Sequence, residues 1–334
     1  MSLAIIGGGN FGTAVANIAA GAGTDVALWM RDPEQVQDTL EHRENRRYLP
    51  GHALDDRVTP TNDLAGAVAG AQLIIVTVPS ASFRAVSREL APHVGTESLL
   101  VSGTKGIEGD GFVLMSQILR DETGSQHVGA LSGPNLAEEM ADGHYTGSVI
   151  ASDSARVRET ATGLIHSGTF RVYESDDPFG VELAGSLKNI YAIICGLAAG
   201  LEVGQNTVAM LVTRGLAEMS RFAVSMGANP FTFLGLAGVG DLMATCTSPY
   251  SRNYRLGQKL ATGMSLDQAV EELGKLAEGV NTTRVVVEKS EELDVYMPLA
   301  RGLHQLAFEG QPISSVISAL VTSEHGYDVE FARP

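Results

Sequence analysis

Lys188 lies inside one of the most apolar stretches of the chain, ELAGSLKNIYAIICGLAAGL (182–201). In a helix, its neighbours three and four positions away are small or aromatic, so the ammonium emerges from an apolar face. An unpaired ammonium is costly to bury there. A partly desolvated lysine is suited to giving or taking a proton, and Asn189 beside it is placed to orient a substrate oxygen. The alternative is a lysine that extends to solvent or pairs with an acid from another helix.

A glycine-rich stretch near the start, GGGNFG (7–12), fits the pattern G-x-G-x-x-G through Gly7, Gly9 and Gly12. An apolar run precedes it and a helical pattern follows, so it favours a dinucleotide-binding turn over a plain strand–helix turn. In such a turn the second glycine lets a pyrophosphate approach the backbone, and the helix N-terminus faces the anion. We therefore expect a nicotinamide cofactor at this turn.

The end of the second apolar run, LWMRD (28–32), bears on the choice of cofactor. Arg31 lies about where the adenine ribose would bind, and an arginine there pairs with a 2′-phosphate. Asp32 follows at once, and an acid there would bind a free 2′-hydroxyl instead. The pattern predicts NADP, with NAD also usable, whereas the alternative is a solvated Arg–Asp pair.

Three further turns carry groups that bind anions or protons. Lys105 stands in a glycine-bracketed turn after a predicted strand, and Gly133 ends another such strand. Ligands of open α/β sheets bind at the carboxyl ends of strands, so both turns point to a ligand. Farther along, Asp241 follows a glycine-rich segment, and Ser251, Arg252 and Asn253 form a polar turn before a helix, a suitable phosphate clamp. Surface turns and an ordinary capped helix are the alternatives.

The elements that must position these groups fall into two halves. Up to about residue 175, short apolar runs alternate with amphipathic segments, which predicts parallel strands joined by helices. After that point the strand signal disappears and the pattern is helical. We expect an α/β fold with an N-terminal Rossmann-like, mostly parallel sheet domain (1–178) and an all-α C-terminal substrate and catalytic domain (179–334).

The composition narrows the class of partner. The formal net charge of −16 argues against nucleic acid and anionic membranes as partners. Two cysteines are too few for a disulfide framework, and no metal site is expected. The stretch 190–201 is too short to span a bilayer, and no basic segment precedes the first apolar run. These features predict a cytoplasmic protein without membrane insertion.

Taken together, the motifs resemble the bacterial-type NAD(P)-dependent glycerol-3-phosphate dehydrogenases. The similarity runs from IIGGGNFGTAVA through ENRRYLPGHAL, VPSASF, SGTKGIE, SGPNLAEE, ELAGSLKNIYAI, GLAGVGDLMATC and SRNYRLG to AEGVNTT, almost the whole chain. The resemblance implies hydride transfer between NAD(P)H and C2 of dihydroxyacetone phosphate or sn-glycerol 3-phosphate. It also implies a role in phospholipid synthesis and a homodimer.

The resemblance also implies residue roles. Lys188 matches the catalytic lysine, with Asp241 orienting it or the substrate. Cofactor positions, beside Gly7, Gly9 and Gly12, are Asn10, Phe11, Arg31, Lys105, Ala137, Arg252, Leu276 and Glu278. Substrate positions are Lys105, Gly133, Asn135, Lys188, Asp241, Ser251, Arg252 and Asn253.

At two positions the sequence differs from the family pattern, which weakens the assignment of these residue roles. Asp32 follows Arg31 where many relatives carry a basic or neutral residue, and Asn135 stands where a hydroxyl residue is common. The alternatives are a related two-domain NAD(P)-dependent hydroxy-acid dehydrogenase and a non-catalytic dinucleotide sensor.

Overall fold

The computed structural model describes residues 2–109, 111–274, 277–315 and 317. The chain divides into two compact units, Met1–Glu182 and Leu183–Pro334. This division falls inside one long helix, four residues beyond the domain boundary at 178/179 that the sequence predicts. That boundary stays a prediction.

The strands of the first unit are β1 (Ser2–Ile6), β2 (Asp25–Trp29), β3 (Val58–Thr61), β4 (Leu73–Val76), β5 (Leu99–Ser102), β6 (Ile107–Glu108), β7 (Val113–Leu114), β8 (His127–Ser132), β9 (Thr146–Ala151) and β10 (Phe170–Ser175). Eight of them form the core sheet, in the order β10-β9-β8-β5-β4-β1-β2-β3. Adjacent strands of this sheet run parallel, except that β8 and β9 are antiparallel to each other. A separate antiparallel pair, β6 and β7, follows β5. The predicted mostly parallel α/β class is confirmed.

Both faces of this sheet are covered, which explains why its central strands are continuous apolar runs. Leu3 and Ile5 pack into one core, whereas Ala4 and Ile6 pack into the other. The helices of this unit are α1 (Asn10–Gly21), α2 (Pro33–His42), α3 (Leu64–Val68), α4 (Ser80–Leu90), α5 (Met115–Thr123), α6 (Ala137–Ala141) and α7 (Ala155–Ile165). Residues of α1 and α7 line the first core, and residues of α4 and α5 line the second.

The regular secondary structure described in the second unit is helical, as the sequence predicts. They form the continuation of α8 (Pro178–Gly200), then α9 (Gln205–Ser225), α10 (Asp241–Thr247), α11 (Arg252–Ala261), α12 (Leu266–Leu273), α13 (Glu278–Glu292) and α14 (Pro298–Phe308). Among the described residues, α8 is the one helix long and apolar enough to cross a membrane, and 83% of its apolar window is buried inside the protein. It is longer than the apolar stretch singled out in the sequence, and its burial is that of a core helix.

The second unit has a buried carboxyl group, Glu218 on α9. It accepts hydrogen bonds from the backbone N–H of Leu299 at 2.7 Å, from that of Ala300 at 3.2 Å and from the Tyr191 hydroxyl at 3.1 Å. Burial raises the pKa of Glu218 from 4.5 to about 7, against these hydrogen bonds, which lower it. Glu218 therefore joins α8, α9 and the start of α14.

We expect this carboxyl group to make folding pH-dependent. Between its unfolded pKa of 4.5 and its folded pKa of about 7, the folded state binds more protons. The stability it contributes is complete below pH 4.5 and is lost as the pH rises through 7. The free energy of unfolding of the wild type, relative to Glu218→Gln, should fall by about 2 kcal/mol between pH 5 and pH 8. Urea unfolding at both pH values measures this difference, and Glu271→Gln, at an exposed position, is the control. The same change in the free energy of unfolding between pH 5 and pH 8 for the wild type and for Glu218→Gln would contradict the prediction.

Candidate active site

The turn between β1 and α1 requires glycine at two of its three predicted positions, Gly7 and Gly12. Gly7 has φ +129°, a conformation that side chains rarely adopt, and its carbonyl accepts a hydrogen bond from the Thr77 hydroxyl at 2.9 Å. A Cβ at Gly12 would lie 2.1 Å from the Gly7 carbonyl oxygen. The third glycine therefore permits the close packing of α1 against β1.

Gly9 differs from the other two, because a Cβ added there would meet no atom within 4 Å. Neither packing nor a positive φ requires glycine at this position, since its φ is −79°. Gly9 is the N-cap residue of α1, which has no side-chain cap and no acidic residue in its first turn. An uncapped helix start beside open space fits the pyrophosphate of a dinucleotide.

Other predicted residues of the first unit surround this turn. The Asn10 amide donates to the Glu138 carboxylate at 3.4 Å, next to the buried Ala137 at the start of α6. A Cβ at Gly103 would lie 3.1 Å from the Phe11 ring, so Phe11 lies beside the turn that carries Lys105. The structure thus brings the glycine turn together with the carboxyl end of β5 and with α6.

Lys105 and Asn135 follow two neighbouring strands, β5 and β8. The Lys105 ammonium donates to the Gly133 carbonyl at 3.0 Å, and Gly133 has φ +137°. The Asn135 amide nitrogen donates to the Ser148 hydroxyl at 2.9 Å. The Asn135 carbonyl oxygen is buried and has no hydrogen-bond partner among the described residues. It is therefore an acceptor available to a hydroxyl group.

Arg31 lies just past the end of β2, as the sequence predicts. Its side chain is 56% exposed and pairs with Glu89 at 3.3 Å. Asp32 is the N-cap residue of α2 and accepts a hydrogen bond from the Glu34 backbone at 3.0 Å. Arg31 and Asp32 thus have different partners, and the choice between a cofactor contact and a solvated Arg–Asp pair stays a prediction.

In the second unit, Lys188 on α8 is buried and has an acidic partner on α10. Lys188 is 6% exposed and Asp241, the first residue of α10, is 1% exposed. The ammonium forms an ion pair with the Asp241 carboxylate and donates to the Thr245 hydroxyl at 2.6 Å. Lys188 thus pairs with an acid from another helix, which is one of the alternatives that the sequence leaves open. The same pairing holds the ammonium in one place, as proton transfer requires.

Thr245 is a residue that the sequence analysis missed. Its hydroxyl donates to the Asp241 carbonyl at 2.7 Å, so it accepts from Lys188. The available signal was the spacing of Asp241 and Thr245 by four residues, which places both side chains on one face if the segment is helical. A short π-helical turn, Leu236–Gly240, precedes Asp241.

The predicted phosphate clamp lies at the start of α11. Ser251 is the N-cap residue, and its hydroxyl accepts from the Tyr254 backbone at 3.2 Å. The backbone N–H groups of Arg252 and Asn253 are the first two of α11. No carbonyl group of the helix accepts a hydrogen bond from them, because such an acceptor would lie one turn before the helix begins. Arg252 is exposed and forms no ion pair within the described part of the chain. Backbone donors and a guanidinium thus remain for an anion.

Asn253 has a structural task that the sequence analysis did not predict. Its amide nitrogen donates to the Asn189 carbonyl oxygen at 2.9 Å, and its own carbonyl oxygen accepts from the Gly279 backbone at 3.0 Å. Asn253 therefore links α8, α11 and α13 and keeps one amide hydrogen for another partner. It also connects the clamp to Asn189, the neighbour of Lys188.

Two predicted cofactor residues remain. Glu278 begins α13, one residue before Gly279. Leu276 lies outside the described residues. The roles of all these side chains toward cofactor and substrate remain predictions.

Comparisons with known proteins identify relatives over nearly the whole chain. The profile for the NAD-dependent glycerol-3-phosphate dehydrogenase N-terminus matches residues 2–158, and that for the C-terminus matches 177–318. A glycerol-3-phosphate dehydrogenase (NAD(P)+) of Saccharophagus degradans is 51% identical over 98% of this chain and 92% of its own. One from Pseudomonas paraeruginosa is 53% identical over 98% and 96%. The crystal structure of glycerol-3-phosphate dehydrogenase from Coxiella burnetii has a TM-score of 0.91 at 34% identity, covering 96% of this chain and 99% of that one.

Proposed function

Because the chain belongs to the NAD-dependent glycerol-3-phosphate dehydrogenase family, we propose that it interconverts dihydroxyacetone phosphate and sn-glycerol 3-phosphate. NADPH is the proposed preferred cofactor, and NADH is also used. The observation that carries the proposal is the buried Lys188–Asp241–Thr245 cluster. A dinucleotide sensor without catalysis would need no proton donor at this position.

The turn at Gly7, Gly9 and Gly12 would hold the pyrophosphate, and Arg31 would contact the adenosine ribose phosphate. This assignment rests on the open space at Gly9 and the uncapped start of α1. When bound, the nicotinamide supplies the hydride that reduces C2 of the ketone. Asn10, Phe11, Lys105, Ala137, Arg252, Leu276 and Glu278 are proposed as further cofactor contacts.

Lys188 is the proposed proton donor. As C2 is reduced, negative charge develops on its oxygen, and a protonated amine stabilises that charge and then donates its proton. In the oxidation of the alcohol the same amine must be neutral to accept a proton. Asp241 and Thr245 hold the amine by two polar contacts, so it needs little reorganisation during the reaction.

The substrate phosphate would bind at the start of α11, through Arg252, the Ser251 hydroxyl and the remaining amide hydrogen of Asn253. A guanidinium and backbone donors at a helix N-terminus together suit a dianion. Lys105, Gly133 and Asn135 are the proposed contacts of the three-carbon part. The free acceptor of Asn135 suits the C1 hydroxyl of dihydroxyacetone phosphate.

Replacing Arg252 by alanine should raise KM for dihydroxyacetone phosphate by about 100-fold, because it removes a charge-assisted contact to the phosphate. At saturating NADPH, which offsets any loss of a cofactor contact by Arg252, kcat/KM for unphosphorylated dihydroxyacetone should change by less than about threefold. Steady-state oxidation of NADPH with each ketone measures both. The exposed Arg255→Ala, on the same helix, is the control. An equal loss with both ketones would mean that Arg252 does not bind the phosphate.

The experiment that tests the function compares ketone substrates. Purified protein should oxidise NADPH rapidly with dihydroxyacetone phosphate and at least about 10³-fold more slowly with 2-keto and 3-keto acids of similar size. The product should be the sn-3 enantiomer of glycerol phosphate, identified by chiral chromatography. Preference for a keto acid would favour the related hydroxy-acid dehydrogenase, and cofactor binding without turnover would favour the sensor.

We also propose a cytoplasmic location, a role in supplying glycerol phosphate for phospholipid synthesis, and a homodimer. The family resemblance supports these three proposals. Sedimentation velocity of the purified protein tests the last of them.

A further inference from the structure

Asp32 poses a problem for NADP binding, because a carboxylate beside a 2′-phosphate repels it. The structure shows that both oxygens of this carboxylate are already engaged. One accepts from the Glu34 backbone at 3.0 Å as the N-cap of α2, and the other accepts from the Arg47 guanidinium at 2.9 Å. The positive charge of Arg47 therefore balances the charge of Asp32. Both carboxylate oxygens already accept hydrogen bonds within the protein, and these bonds compete with binding of the ribose hydroxyls.

Arg47 is held near the end of β2 by its loop. The neighbouring Asn45 is fully buried and donates to the Gly8 carbonyl at 3.0 Å and to the Thr13 hydroxyl at 2.8 Å. Gln35 also donates to the Gly8 carbonyl, at 2.8 Å. The segment that carries Arg47 is thus tied directly to the glycine turn.

Two guanidinium groups lie at this end of β2: Arg47 contacts Asp32, and Arg31, the residue before Asp32, pairs with Glu89 at 3.3 Å. The side chains of Arg31 and Arg47 are 56% and 59% exposed, so both can present further N–H groups to a ligand. Arg47 uses one donor on Asp32, and a guanidinium has five. In a chain of net charge −16, a dianionic group needs such local positive charge.

We propose that Arg47 is a second determinant of NADP binding: it neutralises Asp32 and contacts the 2′-phosphate of the cofactor beside Arg31. The inference rests on the proposed use of NADPH. Because Arg47 follows Asp32 by fifteen residues in another loop, its role depends on the fold rather than on the local motif.

Calorimetry with adenosine 2′,5′-bisphosphate and with ADP tests this without any substrate. Arg47→Ala should weaken binding of the 2′-phosphorylated probe by about tenfold. The expected effect is no larger because solvent weakens a charge-assisted contact at an exposed site. ADP binding should change by less than about twofold. The matched control is Arg46→Ala, because Arg46 stands in the same loop but pairs with Asp38. Equal effects on the two probes, or no effect, would overturn the proposal.

A double variant separates contact with the phosphate from neutralisation of Asp32. Asp32→Asn keeps a capping side chain and removes the negative charge. In that background, Arg47→Ala should still weaken binding of the 2′-phosphorylated probe by at least about threefold. Full recovery would overturn the direct contact. Failure of the proposed reaction would instead appear as absent turnover with these binding results unchanged.

Discussion

Replacing Lys188 by methionine should lower kcat with dihydroxyacetone phosphate by about 10³- to 10⁴-fold while NADPH binding stays within about threefold. Methionine keeps the length and apolar stem of the side chain but has no proton to donate. Stopped-flow absorbance of NADPH measures turnover, and fluorescence titration measures binding. Lys259→Met is the control, because Lys259 lies in the same unit and pairs with Glu272 at the surface.

The single variant also leaves Asp241 buried without its cation, which costs about 3–5 kcal/mol of stability. The double variant Lys188→Met, Asp241→Asn removes that charge, so it should recover much of the lost stability but no turnover. A folded double variant that binds NADPH and retains wild-type turnover would show that Lys188 is a structural residue.

The second large effect is expected at Gly9. Gly9→Ala should weaken NADPH binding by about 10- to 100-fold, because the added methyl group enters the space assigned to the pyrophosphate. The melting temperature should shift by only about 1–2 °C, since the methyl group contacts no protein atom. Calorimetric titration and thermal unfolding measure the two quantities.

Gly21→Ala is the matched control, because Gly21 lies at the exposed end of the same helix and an added Cβ there also contacts nothing. Its NADPH affinity should equal that of the wild type. Gly12→Ala has a different expected defect, loss of folding stability, because its Cβ would lie 2.1 Å from a backbone oxygen. Wild-type NADPH affinity in Gly9→Ala would contradict the cofactor assignment.

The sheet illustrates what a sequence pattern conveys. The apolar runs at Leu3–Gly7 and Leu73–Val78 predict buried strands because burial on both faces leaves no alternation. The reversal of β9 was not predictable in this way, since a buried run has no direction. Direction depends on the connection, and here β8 and β9 are joined by a segment whose helix α6 has only five residues.

The candidate site shows a similar division. Lys188 was identifiable because one cation in an apolar helix is unusual, and Gly9 because its spacing fits a motif. Contacts between residues far apart in the chain were harder to predict: Thr245 lies 57 residues from Lys188, and Arg47 lies 15 residues from Asp32. Asn253 is informative in the opposite sense: the sequence indicated a phosphate contact, whereas the fold also uses the side chain to join three helices.

The most direct test of the role of Lys188 is a crystal structure of the protein with oxidised cofactor and dihydroxyacetone phosphate bound. We expect the Lys188 ammonium to lie within about 3.2 Å of the ketone oxygen at C2, still in contact with Asp241. A substrate bound with its ketone oxygen out of reach of that ammonium would contradict it.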